Sequence, residues 1–331
     1  MLKVGLLGAG RIGQVHAAVV AAHEGSRLEA ISDVYEPAAE ELAAKYHAQV
    51  MSSDAIIAND AIDAVLIATS TDTHSDLIEE ATQAGKAVMC EKPVDLSLKR
   101  ARACLQSASA TGRPVMIGFN RRFDPSFAAI RDGLVAGQIG KAELLSVTSF
   151  DPAPPPVEYI KVSGGLFRDM MIHDFDMTNF IMGEAPVSIS ASGACLVDAK
   201  IARAGDIDTA VVTLSYADGK LAVIKNSRRA AYGYDQRLEL LGEDGLLQTQ
   251  NMLENNVVKS TRHGIVSPKP TYFFIERYMP AYKAEWAAFV AAVQEGDDMP
   301  VSLQDGVQAL AMAEAAQRSF ESSRPVRLAD V

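Results

Sequence analysis

Cysteine is scarce. The chain has three, Cys90, Cys104 and Cys195, odd in number and far apart, which argues against a disulfide framework or a zinc site. No apolar run is as long as a bilayer span, and the first candidate strand starts at residue 2, with no room ahead of it for a signal peptide. Basic residues are in deficit: 31 Lys and Arg stand against 42 Asp and Glu, a formal net charge of −11. They are scattered, which disfavours nucleic acid or an anionic membrane surface as a partner. Internal repeats are absent, and the one biased segment is a proline loop, Asp151-Pro152-Ala153-Pro154-Pro155-Pro156. These absences fit a cytoplasmic protein with neither membrane nor nucleic acid among its partners. What remains is ordinary globular composition, 48% hydrophobic and 22% charged over 331 residues, long for one core and sufficient for two domains.

The most informative stretch is the first. An apolar run, Leu2 to Leu7, leads straight into Gly8-Ala9-Gly10-Arg11-Ile12-Gly13, and Asp33 follows at the end of a second apolar run. In a strand–turn–helix, Gly8 permits the tight turn, Gly10 lets backbone approach a pyrophosphate, and Gly13 lets helix pack on strand. The helix start at Arg11 and Ile12 offers N–H groups and a positive dipole end to phosphate. A carboxylate at position 33 accepts both hydroxyls of an adenosine ribose and repels a 2′-phosphate, so the expected cofactor is NAD.

Apolar runs at 2–7, 28–32, 64–68, 87–90 and 115–118 alternate with helical stretches at 36–46, 74–84 and 97–110, the last capped by Asp95 or Ser97. This is the pattern of a doubly wound parallel sheet, an α/β Rossmann domain over residues 1–119. After Asn120 the texture changes. A helix over Asp124 to Val135, a strand over Ala142 to Phe150, hairpin-like alternation through 187–260, and helices near 277–295 and 303–322 predict a second domain over 120–331. It should be α+β, with a large, open, mostly antiparallel sheet.

Three segments carry candidate chemistry. Thr69, Ser70, Thr71 and His74 follow a parallel strand at its carboxyl end, where cofactors lie in open α/β sheets; a helix cap there is the plain alternative. Glu91-Lys92-Pro93 ends the strand at 87–90, and proline keeps Lys92 out of helical backbone, so its ammonium can donate to a substrate oxygen. In the third, Asp169, His173 and Asp176 fall at i, i+4 and i+7 of a helix read from Asp169 onward, one stripe. A carboxylate one turn from an imidazole fixes its tautomer and suits it to general-base work. A satisfied buried histidine, a solvated ion pair and a metal site are the competing readings. No second ligand cluster supports the metal, and none is expected.

Together these segments, with Gly118-Phe119-Asn120-Arg121-Arg122-Phe123-Asp124-Pro125, the stretch from Phe167 to Met177 and that from Asn226 to Arg237, resemble the glucose–fructose oxidoreductase and inositol dehydrogenase family over essentially the whole chain. The resemblance implies NAD-dependent oxidation of a polyol or sugar hydroxyl, most specifically of a cyclitol such as myo- or scyllo-inositol, to a ketone. It makes Lys92, Asp169 and His173 the catalytic set. Gly8, Ala9, Gly10, Arg11, Ile12, Asp33, Thr69, Ser70, Thr71, His74, Glu91 and Lys92 become cofactor contacts. Arg122, Asp151, Asp176 and Tyr234, with the catalytic set, are left to bind the substrate's hydroxyls. A homo-oligomer, a tetramer through the open sheet, is also implied. One departure is Phe150, where similar sequences carry arginine before the Asp-Pro pair; if it faces the substrate, the preferred stereoisomer changes. A pyranose dehydrogenase of the same family and a non-catalytic NAD-binding sensor are the rival readings.

Overall fold

Strands such as Ala64–Ile67 have no polar side to show to water, and a sheet built from them has to be covered on both faces. In the computed structural model, which describes residues 1–331, six such strands form one sheet: β1 (Leu2–Leu7), β2 (Ser26–Ser32), β3 (Gln49–Val50), β4 (Ala64–Ile67), β5 (Ala87–Glu91) and β6 (Val115–Gly118). Their order is β3-β2-β1-β4-β5-β6, and every pairing is parallel. The connections carry α1 (Arg11–Ala22), α2 (Glu36–Tyr46), α3 (Ser53–Ala58), α4 (His74–Gln83) and α5 (Leu98–Ala110). Ser97 caps α5, its hydroxyl accepting the Arg100 N–H at 3.4 Å, while Asp95 accepts the N–H of Ser97. The order reverses at β1 and β4, so the carboxyl ends of those strands border the crevice where ligands bind in such sheets.

The second sheet comprises β7 (Ala142–Phe150), β8 (Ser188–Ala194), β9 (Thr209–Ser215), β10 (Leu221–Ser227), β11 (Asp235–Gly242) and β12 (Gly245–Gln248), with β15 (Val326–Arg327) at its edge. A separate hairpin joins β13 (Lys259–Thr261) to β14 (Gly264–Val266). The order is β12-β11-β7-β10-β9-β8-β15, antiparallel throughout except between β7 and β10. Period-two alternation buries Leu145, Val147, Ala222, Ile224, Leu238 and Leu240 on one face. The other face is open, and Leu221, Leu144, Leu241 and Leu246 stand in register across it, each exposed. The helices here are α6 (Pro125–Val135), α7 (Val157–Ile160), α8 (Gly165–Asp169), α9 (Ile172–Met182) and α10 (Ala199–Arg203), with α9 on β7.

The helix read from Asp169 onward is broken. The N–H groups of Met170 and Met171 both bond to the Leu166 carbonyl, at 3.1 and 2.9 Å, and that of Asp174 bonds back to Met171. A wide turn followed by a tight one shifts the helical phase, so Asp169 ends α8 while His173 lies in the first turn of α9. The single stripe of Asp169, His173 and Asp176 is therefore replaced by two helices.

The chain folds as two units, Met1–Asn120 with Ala281–Leu310, and Arg121–Pro280 with Ala311–Val331. The division differs from one cut after residue 119, because parts of α11 (Phe274–Glu295) and α12 (Leu303–Ser322) complete the first core. Trp286, fully buried, packs at 5.1 Å on Phe289 and donates its indole N–H to the Ser26 hydroxyl at 2.9 Å. The Ile117 N–H donates to the Val301 carbonyl, and Gly306 lies so close that a Cβ there would sit 2.6 Å from Val94. No helix is long and apolar enough to cross a membrane.

Candidate active site

In the first unit the glycine turn has the shape its spacing predicts. Gly8 has φ of +100°, and a Cβ on it would fall 2.4 Å from the Ala68 carbonyl oxygen; one on Gly13 would fall 2.0 Å from that of Gly8. Gly10 is different, since a Cβ there would meet nothing within 4 Å. Its smallness serves open space next to the start of α1, which has no side-chain cap. Asp33 lies against the same turn, one carboxylate oxygen accepting the Ala9 N–H at 2.6 Å and the other the Tyr35 N–H at 2.8 Å. An open cradle beside uncapped helix N–H groups, with a carboxylate tied to its rim, fits a dinucleotide pyrophosphate and its ribose.

Thr69, Ser70 and Thr71 follow β4, and the Thr69 and Thr73 hydroxyls bond at 2.7 Å. His74 is buried, with Nδ1 at 2.8 Å from the Pro93 carbonyl and Nε2 at 3.2 Å from that of Thr69. Burial first of all lowers its pKa, against those two hydrogen bonds and Glu91. The placement makes it a brace between two loops. Lys92, half-buried, follows β5 directly, and its peptide bond to Pro93 is cis. Glu91 receives the ring of His16, Nε2 to Oε1, at 2.7 Å. His16 lies on the buried face of α1 just past the glycine turn, and nothing in the sequence marks it as the partner of Glu91, 75 residues away.

In the second unit, Asp169 accepts the Tyr159 hydroxyl at 2.8 Å and both terminal nitrogens of Arg228 at 3.3–3.4 Å. His173 is half-buried. Its neighbour Asp174 is fully buried, accepting from Arg121 at 2.7 Å and from Asn226 at 2.8 Å. Beneath them, Asn226, Ser149 and Gln236 form one transverse row across β10, β7 and β11, with Ser149 bonded to Gln236 at 2.8 Å and to Arg121 at 3.1 Å. Arg122 grips Asp176, Nε to one oxygen at 2.9 Å and Nη2 to the other at 2.5 Å, so two expected hydroxyl binders hold each other. Tyr234 is buried edge-on to Tyr278. Phe150, by strand alternation, faces away from Ser149 and the Asp174 cluster, so its ring lies on the open face. Arg121, Arg228 and Asp174 were invisible as a set, since their partners are 50 or more residues away.

Asp151 sits at the end of β7 with its N–H on the Ser227 carbonyl. Burial pushes its carboxyl up to about 6, with Asp169 and Asp174 adding to the rise and Arg228 and Arg121 opposing it. Its value in the folded chain exceeds the unfolded 3.8, so the native state takes up a proton in between. The stability this gives is full at the acid end and is lost as pH rises through about 6. Relative to Asp151→Asn, the wild type should therefore lose up to about 3 kcal/mol between pH 4 and 7, the worth of about two pKa units. Urea midpoints of the two proteins measure this, and a difference independent of pH would contradict the assignment.

Known proteins match both parts of the chain. The pattern described as "Oxidoreductase family, NAD-binding Rossmann fold" matches residues 2–119, and "Oxidoreductase family, C-terminal alpha/beta domain" matches residues 132–328. The inositol 2-dehydrogenase of Rhizobium meliloti is 49% identical over 328 residues, 99% of each chain. The solved myo-inositol dehydrogenase of Corynebacterium glutamicum is similar at a TM-score of 0.96 and 42% identity, covering 99% of both chains. A Lactobacillus casei scyllo-inositol dehydrogenase, solved with bound NAD(H) and scyllo-inositol, is similar at 0.92 and 29% identity, again over 99% of both. With both domain patterns matched in order and relatives aligned end to end, the chain belongs to the glucose–fructose oxidoreductase and inositol dehydrogenase (Gfo/Idh/MocA) family of oxidoreductases, its first domain the family's NAD-binding Rossmann fold.

Proposed function

We propose that the protein is an NAD-dependent inositol 2-dehydrogenase, oxidising one ring hydroxyl of myo-inositol, and of scyllo-inositol as a second substrate, to the ketone. The observation that carries this reading is the end-to-end likeness to inositol dehydrogenases in a chain that retains Lys92, Asp169 and His173. Bound NAD⁺ supplies the hydride acceptor. The N–H groups at Gly10 to Ile12 hold its pyrophosphate and Asp33 its ribose, while the loop from Thr69 to Thr71 borders it.

His173 accepts the proton of the reacting hydroxyl, and Lys92 donates a hydrogen bond to the same oxygen as negative charge develops there. Asp169, itself held by Arg228 and Tyr159, orients His173 or grips a neighbouring hydroxyl. Asp151 and Tyr234, with the Arg122–Asp176 pair, supply donors and acceptors for the remaining ring hydroxyls. Free, buried thiols at Cys90 and Cys104 suit a reducing cytoplasm. Mixing the purified protein with NAD⁺ and a panel of myo-inositol, scyllo-inositol and glucose should give NADH absorbance with the inositols first. Oxidation of glucose alone would move the reading to a pyranose dehydrogenase, and NAD binding with silence across the panel to a sensor.

We propose also that copies of the chain assemble, as a tetramer, through the open face of the second sheet. The support is the row Leu221, Leu144, Leu241 and Leu246, apolar and exposed at 39–48% in register on one surface. Leu144→Glu places a charge in the middle of that row. Light scattering should then show a smaller particle than wild type; an unchanged mass would move the interface elsewhere.

A further inference from the structure

Lys92 stands one residue beyond the end of β5, where the ladder of sheet hydrogen bonds no longer holds the backbone. Glu91 before it still pairs with Gly118 of β6, and each neighbour of Lys92 meets a histidine from a separate helix. On one side Glu91 meets His16 of α1 at 2.7 Å; on the other the Pro93 carbonyl meets His74 of α4 at 2.8 Å. Each imidazole is 1% exposed. His16 is wedged edge-on against Tyr282 at 5.5 Å, and His74 reaches through its other nitrogen to Thr69. Packing alone does not call for either ring, because a leucine or methionine fills such a space without polar atoms to satisfy. Room for the contact is built in from the far side as well: a Cβ on Gly118 would come within 3.2 Å of the Glu91 carboxyl carbon.

We infer that His16 and His74 are positioning residues that clamp the two neighbours of Lys92 and thereby fix its ammonium for the reacting oxygen. The inference rests on the role given to Lys92 above. A lysine side chain has four rotatable bonds, so the placing of its backbone is one determinant of where its ammonium points. A misplacement of about 1 Å at a reacting group lowers turnover on the order of 100-fold. The clamp also ties Lys92 to the elements that flank the cofactor cradle, since α1 starts at the glycine turn and α4 follows the Thr69 loop.

The two contacts use different ring nitrogens, which gives matched variants. A glutamine amide reaches as far as Nε2 and an asparagine amide only as far as Nδ1. His16→Gln and His74→Asn therefore keep an N–H at the contact, whereas His16→Asn and His74→Gln carry the same group at the wrong reach. The first pair should retain most of kcat. The second pair should lose kcat on the order of 10- to 100-fold, with KM for inositol nearly unchanged. Reductive ¹³C-methylation, with the Lys92 signal assigned by Lys92→Arg, gives a readout that needs no turnover: one sharp signal in the wild type and the first pair, a broadened or doubled one in the second. Equal behaviour of the two pairs, in kcat or in the Lys92 signal, overturns the clamp. If the wild type oxidises no polyol the function reading fails, and the Lys92 signal still decides the clamp.

Discussion

A parallel sheet covered on both faces leaves its strands one place to display polar side chains, the edge where they end. Four candidate residues of the first unit obey that constraint. Gly8 follows β1, Asp33 follows β2, Thr69 lies just past β4, and Lys92 directly follows β5. The hydrogen bond from Ala9 to Asp33 joins two of these ends, and His74 joins two more. The strands stay apolar because they are buried, and the polar candidates follow their tips.

The second unit solves a harder problem, since it buries charge inside a sheet-and-helix core. Asp174 and Arg121 are almost wholly shielded from water, and burial drives the Asp174 pKa upward against Arg121, Asn226 and Ser149. Such a pair is tolerated when it is well hydrogen-bonded, and removing one member typically costs about 3–5 kcal/mol. Asn226 donates to Asp174, and Ser149 accepts from Arg121 while donating to Gln236 on the next strand. A helix pinned this firmly at its third residue carries His173, the residue before, in a fixed place.

Much of this is legible in the sequence where a continuous run is bounded by turn residues. The strands 2–7, 115–118 and 142–150 and the helix 36–46 lie where the pattern puts them. The two-residue β3 and the short α3 leave no period long enough to read. The phase shift at Met170 and Met171 comes from two N–H groups sharing the Leu166 carbonyl, which residue types there do not reveal. Trp286 reaches across 260 residues to Ser26, so the late helices read as part of the second domain although their middle completes the first. The roles of Arg121, Arg228 and His16 are not legible for the same reason: their meaning lies in partners that only the fold brings near.

The proposed mechanism has Lys92 and His173 serve one oxygen, and a double-mutant cycle in kcat tests that most directly. Lys92→Met, His173→Ala and the double variant would be compared with the wild type in myo-inositol oxidation. Groups that act as a unit are grossly non-additive, so the double variant should lose little more than the worse single one. Losses that multiply would show two independent contributions and contradict the shared oxygen.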